Sequence, residues 1–319
     1  TDADTYQVPA AYSRKGAAVA DLAIYEEAER QFKAALSVWS SKIAERLANL
    51  LSNKAVVCDS LDDVEGCINS AEQCIAIYQR LVEQEGRQDL ANKLAEELLG
   101  KAEYLICSGN LAAALQESDK SIAIMRRLVE NEGRREYYNT LAQALHSAGD
   151  TLWGMGNLAG SIEYYNQCIE IHQRMLAQGW RNIYDDSMAM ALISRANAYH
   201  SMGNYTAAIN DDDKSIAIYR RIVDLEWRSG KIINLGLLLW NKAGAVFETG
   251  DVTEAIKIID ESIATFRRII DQEEWPAATR WFAMATMSKG VMLLNMGDLA
   301  KSEEYLSRSV NILLPMVEQ

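Results

Sequence analysis

The stretch Arg195–Arg221, RANAYHSMGNYTAAINDDDKSIAIYRR, decides how this chain folds. Ala196, Tyr199 and Met202 close the face of one helix, and Gly203-Asn204 follows as a turn whose first residue can take a positive φ. A second helix starts at once. Tyr205, Ala208, Ile209, Ile216, Tyr219, Ile222 and Val223 recur at steps of three and four around a polar Asp212, which is the pattern of one buried helical stripe.

The rest of the chain repeats this unit. Ile75, Ile122, Ile169, Ile216, Ile263 and Val310 stand 47 residues apart without insertion. The turn recurs at Gly109, Gly156, Gly203, Gly250 and Gly297, each followed by Asn or Asp: Asn110, Asn157, Asn204, Asp251 and Asp298. Only Asp62 replaces the glycine, and aspartate tolerates left-handed backbone better than most side chains. A small-residue column, Cys67, Ala114, Ser161, Ala208, Ala255 and Ser302, lets two helices approach closely. The period divides the chain into a frayed lead-in at 1–14 and one solenoid at 15–319. Its units are expected at 15–53, 54–100, 101–147, 148–194, 195–241, 242–288 and 289–319, each of two helices. In the first, Gly16, Val19, Tyr25 and Ala28 stand where Ala196, Tyr199, Tyr205 and Ala208 stand later. In the last, Pro315 replaces an arginine and predicts a kink or an end to the helix, and NILLPMVEQ stays apolar, which points to self-association or to a larger parent protein.

Composition narrows the function. Hydrophobic residues make up 49% of the 319 and only three are proline, so the chain can bury a continuous core. A net charge of −13 argues against nucleic acid or an anionic membrane and favours basic or neutral partners. No apolar run reaches the length of a membrane span, and no leader pattern precedes the repeats. The chain starts at Thr1, which suggests processing or a fragment. Five cysteines, Cys58, Cys67, Cys74, Cys107 and Cys168, have neither disulfide arithmetic nor finger spacing, so a reducing, cytoplasmic compartment is expected.

At Ala196, Tyr199, Gly203-Asn204-Tyr205, Ala208 and Ser215 the chain resembles the tetratricopeptide repeat family, over residues 15–319. The resemblance implies an all-α, right-handed α-solenoid of about seven helix-turn-helix repeats. Two departures stand out. The period is 47 where the family's usual one is 34, as in longer-repeat members such as kinesin light chain-like arrays, and the proline that ends each family unit is replaced by EGR, EGR, GWR and EWR. A HEAT- or armadillo-like solenoid is the alternative fold: those arrays share the long period but do not explain the Gly-Asn-Tyr-x-x-Ala turn. Phrases such as SIAIYRR and LVENEGR resemble repeat segments of large bacterial signalling proteins, in which such arrays sit beside a kinase, a nucleotide-dependent switch or a caspase-like protease.

The family's ligand groove, carried over residue by residue, falls on Glu103, His146, Asp150, Trp153, Asn197, His200, Trp240, Asn241 and Phe247. Aromatic and imidazole side chains anchor peptides well, although Trp153, Trp240 and Phe247 could equally pack between long helices. The arginine column Arg80, Arg127, Arg174, Arg221 and Arg268 reads as local ion pairs, with Glu83, Glu130, Asp224 and Asp271 three residues on, in preference to a phosphate ladder. Asp211-Asp212-Asp213 diverge around a helix and read as a solvated face, not a calcium loop. The three histidines, His146, His172 and His200, have no metal spacing, and no phosphate-cradling loop is present. Cys74 and Cys168 share a column with Ser121, Ser215, Ser262 and Ser309, which marks a packing position and not a nucleophile. The sequence thus points to a scaffold or adaptor for a protein or peptide, without cofactor, metal or enzymatic activity. The alternative is a sensor module that changes shape on binding and regulates a larger signalling protein.

Overall fold

The computed structural model describes residues 3–36, 39–177, 181–225, 229–273 and 276–317, and every regular element among them is helical. They divide into two compact units, Thr1–Asn157 and Leu158–Gln319. The first holds α1 (Ala3–Ala35), α2 (Ser41–Ser60), α3 (Val64–Gln79), α4 (Ala91–Cys107), α5 (Leu111–Arg126) and α6 (Tyr138–Gly154). The second holds α7 (Leu158–Ala177), α8 (Arg181–Ser201), α9 (Tyr205–Leu225), α10 (Ser229–Glu248), α11 (Val252–Glu273), α12 (Pro276–Asn295) and α13 (Leu299–Val317). The class is all-α and built from helical hairpins, as the repeat predicts.

Each hairpin turns the same way. Gly109, Gly156, Gly203, Gly250 and Gly297 have φ between +74° and +93°, and Asp62 takes φ +61° in their place. The residue after each turn then caps the next helix. Asp63, Asn110, Asn204, Asp251 and Asp298 accept side-chain hydrogen bonds from the amides of Gly66, Ala113, Ala207, Glu254 and Lys301 at 2.9–3.3 Å. One dipeptide therefore closes a helix with a left-handed backbone and opens the following one with an acceptor.

Two columns lock the hairpins. The small-residue column is fully buried, from Cys67 to Ser302. Seven residues further on, Cys74, Ser121, Ser215, Ser262 and Ser309 donate to the carbonyls of Ala48, Ala95, Ala189, Gly236 and Ala283, each 26 residues earlier. Cys67 and Ser302 donate to Ala55 and Gly290 in the same hairpins. As the donor moves seven residues forward the acceptor moves seven back, so the paired helices are antiparallel. These thiols and hydroxyls are packing groups, as their column predicts.

In the first unit the second helix of a hairpin ends by widening. Arg80–Gln84 and Arg127–Asn131 each form one π turn, after which Gly86 and Gly133 take φ +70° and +69°. The amides of Arg87 and Arg134 then reach back to the carbonyls of Leu81 and Leu128, each at 3.0 Å. Here the EGR motif stops the helix without a proline. Of the matching GWR and EWR motifs only Arg181, the first residue of α8, is among the described residues.

Three sequence expectations need correction or detail. The first unit, 15–53, has no turn at Ala23-Ile24: α1 runs unbroken from Ala3 to Ala35, through the expected lead-in, because Ala23-Ile24 stands where a repeat would carry Gly-Asn and no residue there favours positive φ. Hairpin repeats begin with α2, and α1 precedes them. Four arginines of the column are engaged elsewhere than with the residue three on. Arg80 stacks on Trp39, Arg127 lies 3.6 Å from Glu132, Arg174 pairs with Glu170 and Arg221 with Asp185. The π turns change the spacing at Arg80 and Arg127, and a neighbouring helix supplies the partner at Arg221. Pro315 lies in the last turn of α13, which extends two residues beyond it. Among the described residues no helix is long and apolar enough to cross a membrane.

Candidate functional site

The site with the most unusual chemistry lies in the second unit, where α8, α9 and α10 meet. Helix α9 packs on both α8 and α10. Ala196 and Ala208 keep α8 and α9 close, and their short side chains leave a cavity of about 80 Å³. Asn197 and His200 from α8 and Asn241 from α10 line it, and Asp212 of α9 lines it from the buried side. Three of the nine groove residues read from the sequence are thus brought together. The His200 ring meets Tyr205 edge-on at 5.2 Å.

Asp212 is 4% exposed, and among the described residues no hydrogen bond or ion pair reaches its carboxylate. Its two neighbours are satisfied. Asp211, 1% exposed, accepts from Arg195 Nε at 2.7 Å and Nη2 at 2.8 Å. Asp213 is exposed and pairs with Lys242 at 2.6 Å. The expected solvated face is therefore wrong for two of the three aspartates. A helix covered on two sides buries an arc wide enough to take two consecutive side chains, which lie about 100° apart. Burial, and after it the charges of Asp211 and Asp213, push the Asp212 carboxyl up to about 7, with Lys242 pulling weakly the other way.

Asp212 was legible in the repeat. At its place the other units carry Ala71, Ser118, Tyr165, Ile259 and Leu306, of which the first four are fully buried. A carboxylate there occupies a core position. A second column, Lys54, Lys101, Arg195, Lys242 and Lys289, recurs in the same register. Its members reach carboxylates on flanking helices: Lys54 to Glu29 at 2.8 Å, Lys101 to Glu72 at 2.9 Å, and Lys289 to Asp260 at 2.6 Å.

The remaining groove residues divide between the units. In the second, Trp240 is half-buried, donates from Nε1 to Ser288 Oγ at 2.9 Å and lies 5.9 Å from Trp281. Phe247 is half-buried against the core formed around Ile259 and Phe266. Both pack between helices. In the first unit, His146, Asp150 and Trp153 share one face of α6, with His146 Nδ1 3.3 Å from Asp150 Oδ2 and Trp153 47% exposed. Glu103 is exposed on α4.

Residues 142–173 and 188–226 match models of the tetratricopeptide repeat. No curated protein matches the sequence. Among solved structures the chain is similar to a signal transduction ATPase with numerous domains that carries a tetratricopeptide repeat sensor, from Pyrococcus horikoshii. The TM-score is 0.65 at 17% identity, over 96% of this chain and 42% of that one. It is also similar to BtubC (BKLC) from P. vanneervenii, with a TM-score of 0.62 at 15% identity over 80% and 93% of the two chains. The apo form of RapI aligns over 97% and 99%, with a TM-score of 0.52 at 16% identity. At these identities the likeness is one of fold. Together with the Gly-Asn-Tyr-x-x-Ala turns, the two matched segments show that this chain carries tetratricopeptide repeats.

Proposed function

We propose that this chain is a recognition module that binds a protein or peptide segment across α8, α9 and α10, at the cavity lined by Asn197, His200 and Asn241. The observation that carries this reading is the convergence of hydrogen-bonding side chains from three helices on one recess. Exposed polar groups need no such arrangement for folding, and a preformed recess binds with little ordering of the receptor. The net charge of −13 favours a basic or neutral partner. The reading is one of recognition, not catalysis: the buried thiol of Cys74 and the column serines are engaged with backbone carbonyls.

A random peptide library selected against the wild-type chain and against a folded Asn197→Ala/His200→Ala/Asn241→Ala variant tests this. Peptides that bind the wild type and lose at least tenfold in affinity for the variant are expected. Equal binding to both would place recognition elsewhere, with the α6 face of His146, Asp150 and Trp153 as the next surface to vary.

A second reading is a sensor that changes shape on binding and regulates an attached or partner enzyme. Its support is the fold shared with a repeat sensor in a chain of which this one spans 42%. A selected peptide that alters the radius of gyration or the protease sensitivity of the chain would favour it over a rigid scaffold.

A further inference from the structure

We propose that the Asp212 cavity is a subsite for a primary ammonium, the side-chain amine of a lysine presented by the bound segment. This rests on the recognition reading above and names the chemistry of its anchor.

The argument starts from the imbalance at Asp212. A carboxylate at a core position is costly unless paired, and its neighbours show how this fold supplies partners. Asp211 has the Arg195 guanidinium and Asp213 has Lys242. Asp212 has neither, yet it faces open space. The charged and titratable groups around it are Arg195 and His200 on α8, Asp211 and Asp213 on α9, and Lys242 on α10. Both Arg195 and Lys242 are engaged with the other two aspartates. Among the described residues no cation is left for Asp212, and a partner from outside the chain answers that imbalance.

Its chemistry follows from the lining. Asn197 and Asn241 offer carbonyl oxygens and His200 a ring nitrogen near one carboxylate. That set suits a compact donor with three N–H groups radiating from one centre. A guanidinium is a wider planar fork, and the recess of about 80 Å³ suits the more compact ammonium. A divalent metal is disfavoured by the ligands: among the described residues no three His, Cys, Asp or Glu side chains converge. A recess of about 80 Å³ admits the end of an alkyl chain and not an aromatic ring.

The test uses the whole chain and a capped Ala-Lys-Ala tripeptide as probe, followed through the side-chain amide resonances of Asn197 and Asn241. Saturable shifts in the millimolar range are expected. Asp212→Asn should weaken the binding at least tenfold, whereas Glu303→Gln, which removes the same charge from an exposed site on α13, should leave it within twofold. Acetylating the lysine amine should abolish the shifts, and binding should strengthen as pH rises through the titration of Asp212. Tighter binding of capped Ala-Arg-Ala, or equal loss in the two variants, would overturn the assignment. So would the absence of shifts. If selected peptides still bind the wild type and lose affinity for the triple variant while the lysine probe fails, the recognition site stands and the ammonium subsite falls.

Discussion

Asp211, Asp212 and Asp213 are identical side chains in consecutive positions, and their environments give them three different states. Asp211 is buried and doubly bonded to a guanidinium, Asp213 is exposed and paired with a lysine, and Asp212 is buried with a cavity in front of it. The consequence for stability has a definite sign. Because the folded carboxyl of Asp212 titrates near 7, above its unfolded value, ionisation opposes folding. The cost is absent below about pH 4, grows as pH rises through 7 and is then constant. It reaches at most about 4 kcal/mol. Without a bound peptide, Asp212→Asn should therefore be the more stable protein at pH 8, with the gap closing as pH falls to 4. Denaturant titrations of both proteins across that range measure it, and a gap independent of pH would show that Asp212 is solvated. The bound ammonium proposed above would remove the same cost.

The helical hairpin has one turn chemistry and one spacing, and both depend on small residues. The left-handed turn needs glycine at Gly203 and its equivalents, and Asp62 reaches φ +61° without one. Helix approach needs the buried small column. Ala255 is fully buried, and Ala243 stands opposite it in the register by which Cys67 meets Ala55 and Ser302 meets Gly290. Ala255→Leu should lower the stability of the second unit by about 1–3 kcal/mol through overpacking. Unfolding of the variant by urea provides the number; a change below the error of the midpoint would mean that the hairpin repacks freely. Much of this was readable in advance. The glycine spacing, the small column and the Cys/Ser column are each visible in the sequence as fixed positions of the period. The unbroken α1 was readable too, since Ala23-Ile24 lacks the turn signal, but similarity at Tyr25 and Ala28 suggested a hairpin there.

Within a repeat array each hairpin buries its neighbour, so stability depends on the stack. In the second unit α13 covers α12: Ser302 and Ser309 bond to the carbonyls of Gly290 and Ala283, and Leu306 fills the space beside Gly290. Ending the chain at residue 288 removes the end of α12 and all of α13 and uncovers the buried Ala283, whose carbonyl Ser309 reaches. The truncated protein should melt at a lower temperature and bind a hydrophobic dye. An unchanged melting temperature would mean that α13 adds nothing to the unit. The groove, by contrast, was only partly legible. Of the nine residues proposed, Asn197, His200 and Asn241 share a cavity, Trp240 and Phe247 are packing residues, and Glu103, His146, Asp150 and Trp153 belong to the other unit.

The 47-residue spacing, the turn glycines, their capping partners and the small columns were determined by the sequence alone, because each acts through local backbone geometry or a fixed periodicity. Which polar side chains meet was decided by tertiary structure. Asp212 and Asn241 are 29 residues apart, and their convergence depends on how far α9 turns between α8 and α10. Helical periodicity gives a residue its face but not the width of the arc its neighbours cover. That width separates the buried, unpaired Asp212 from the exposed Asp213 beside it.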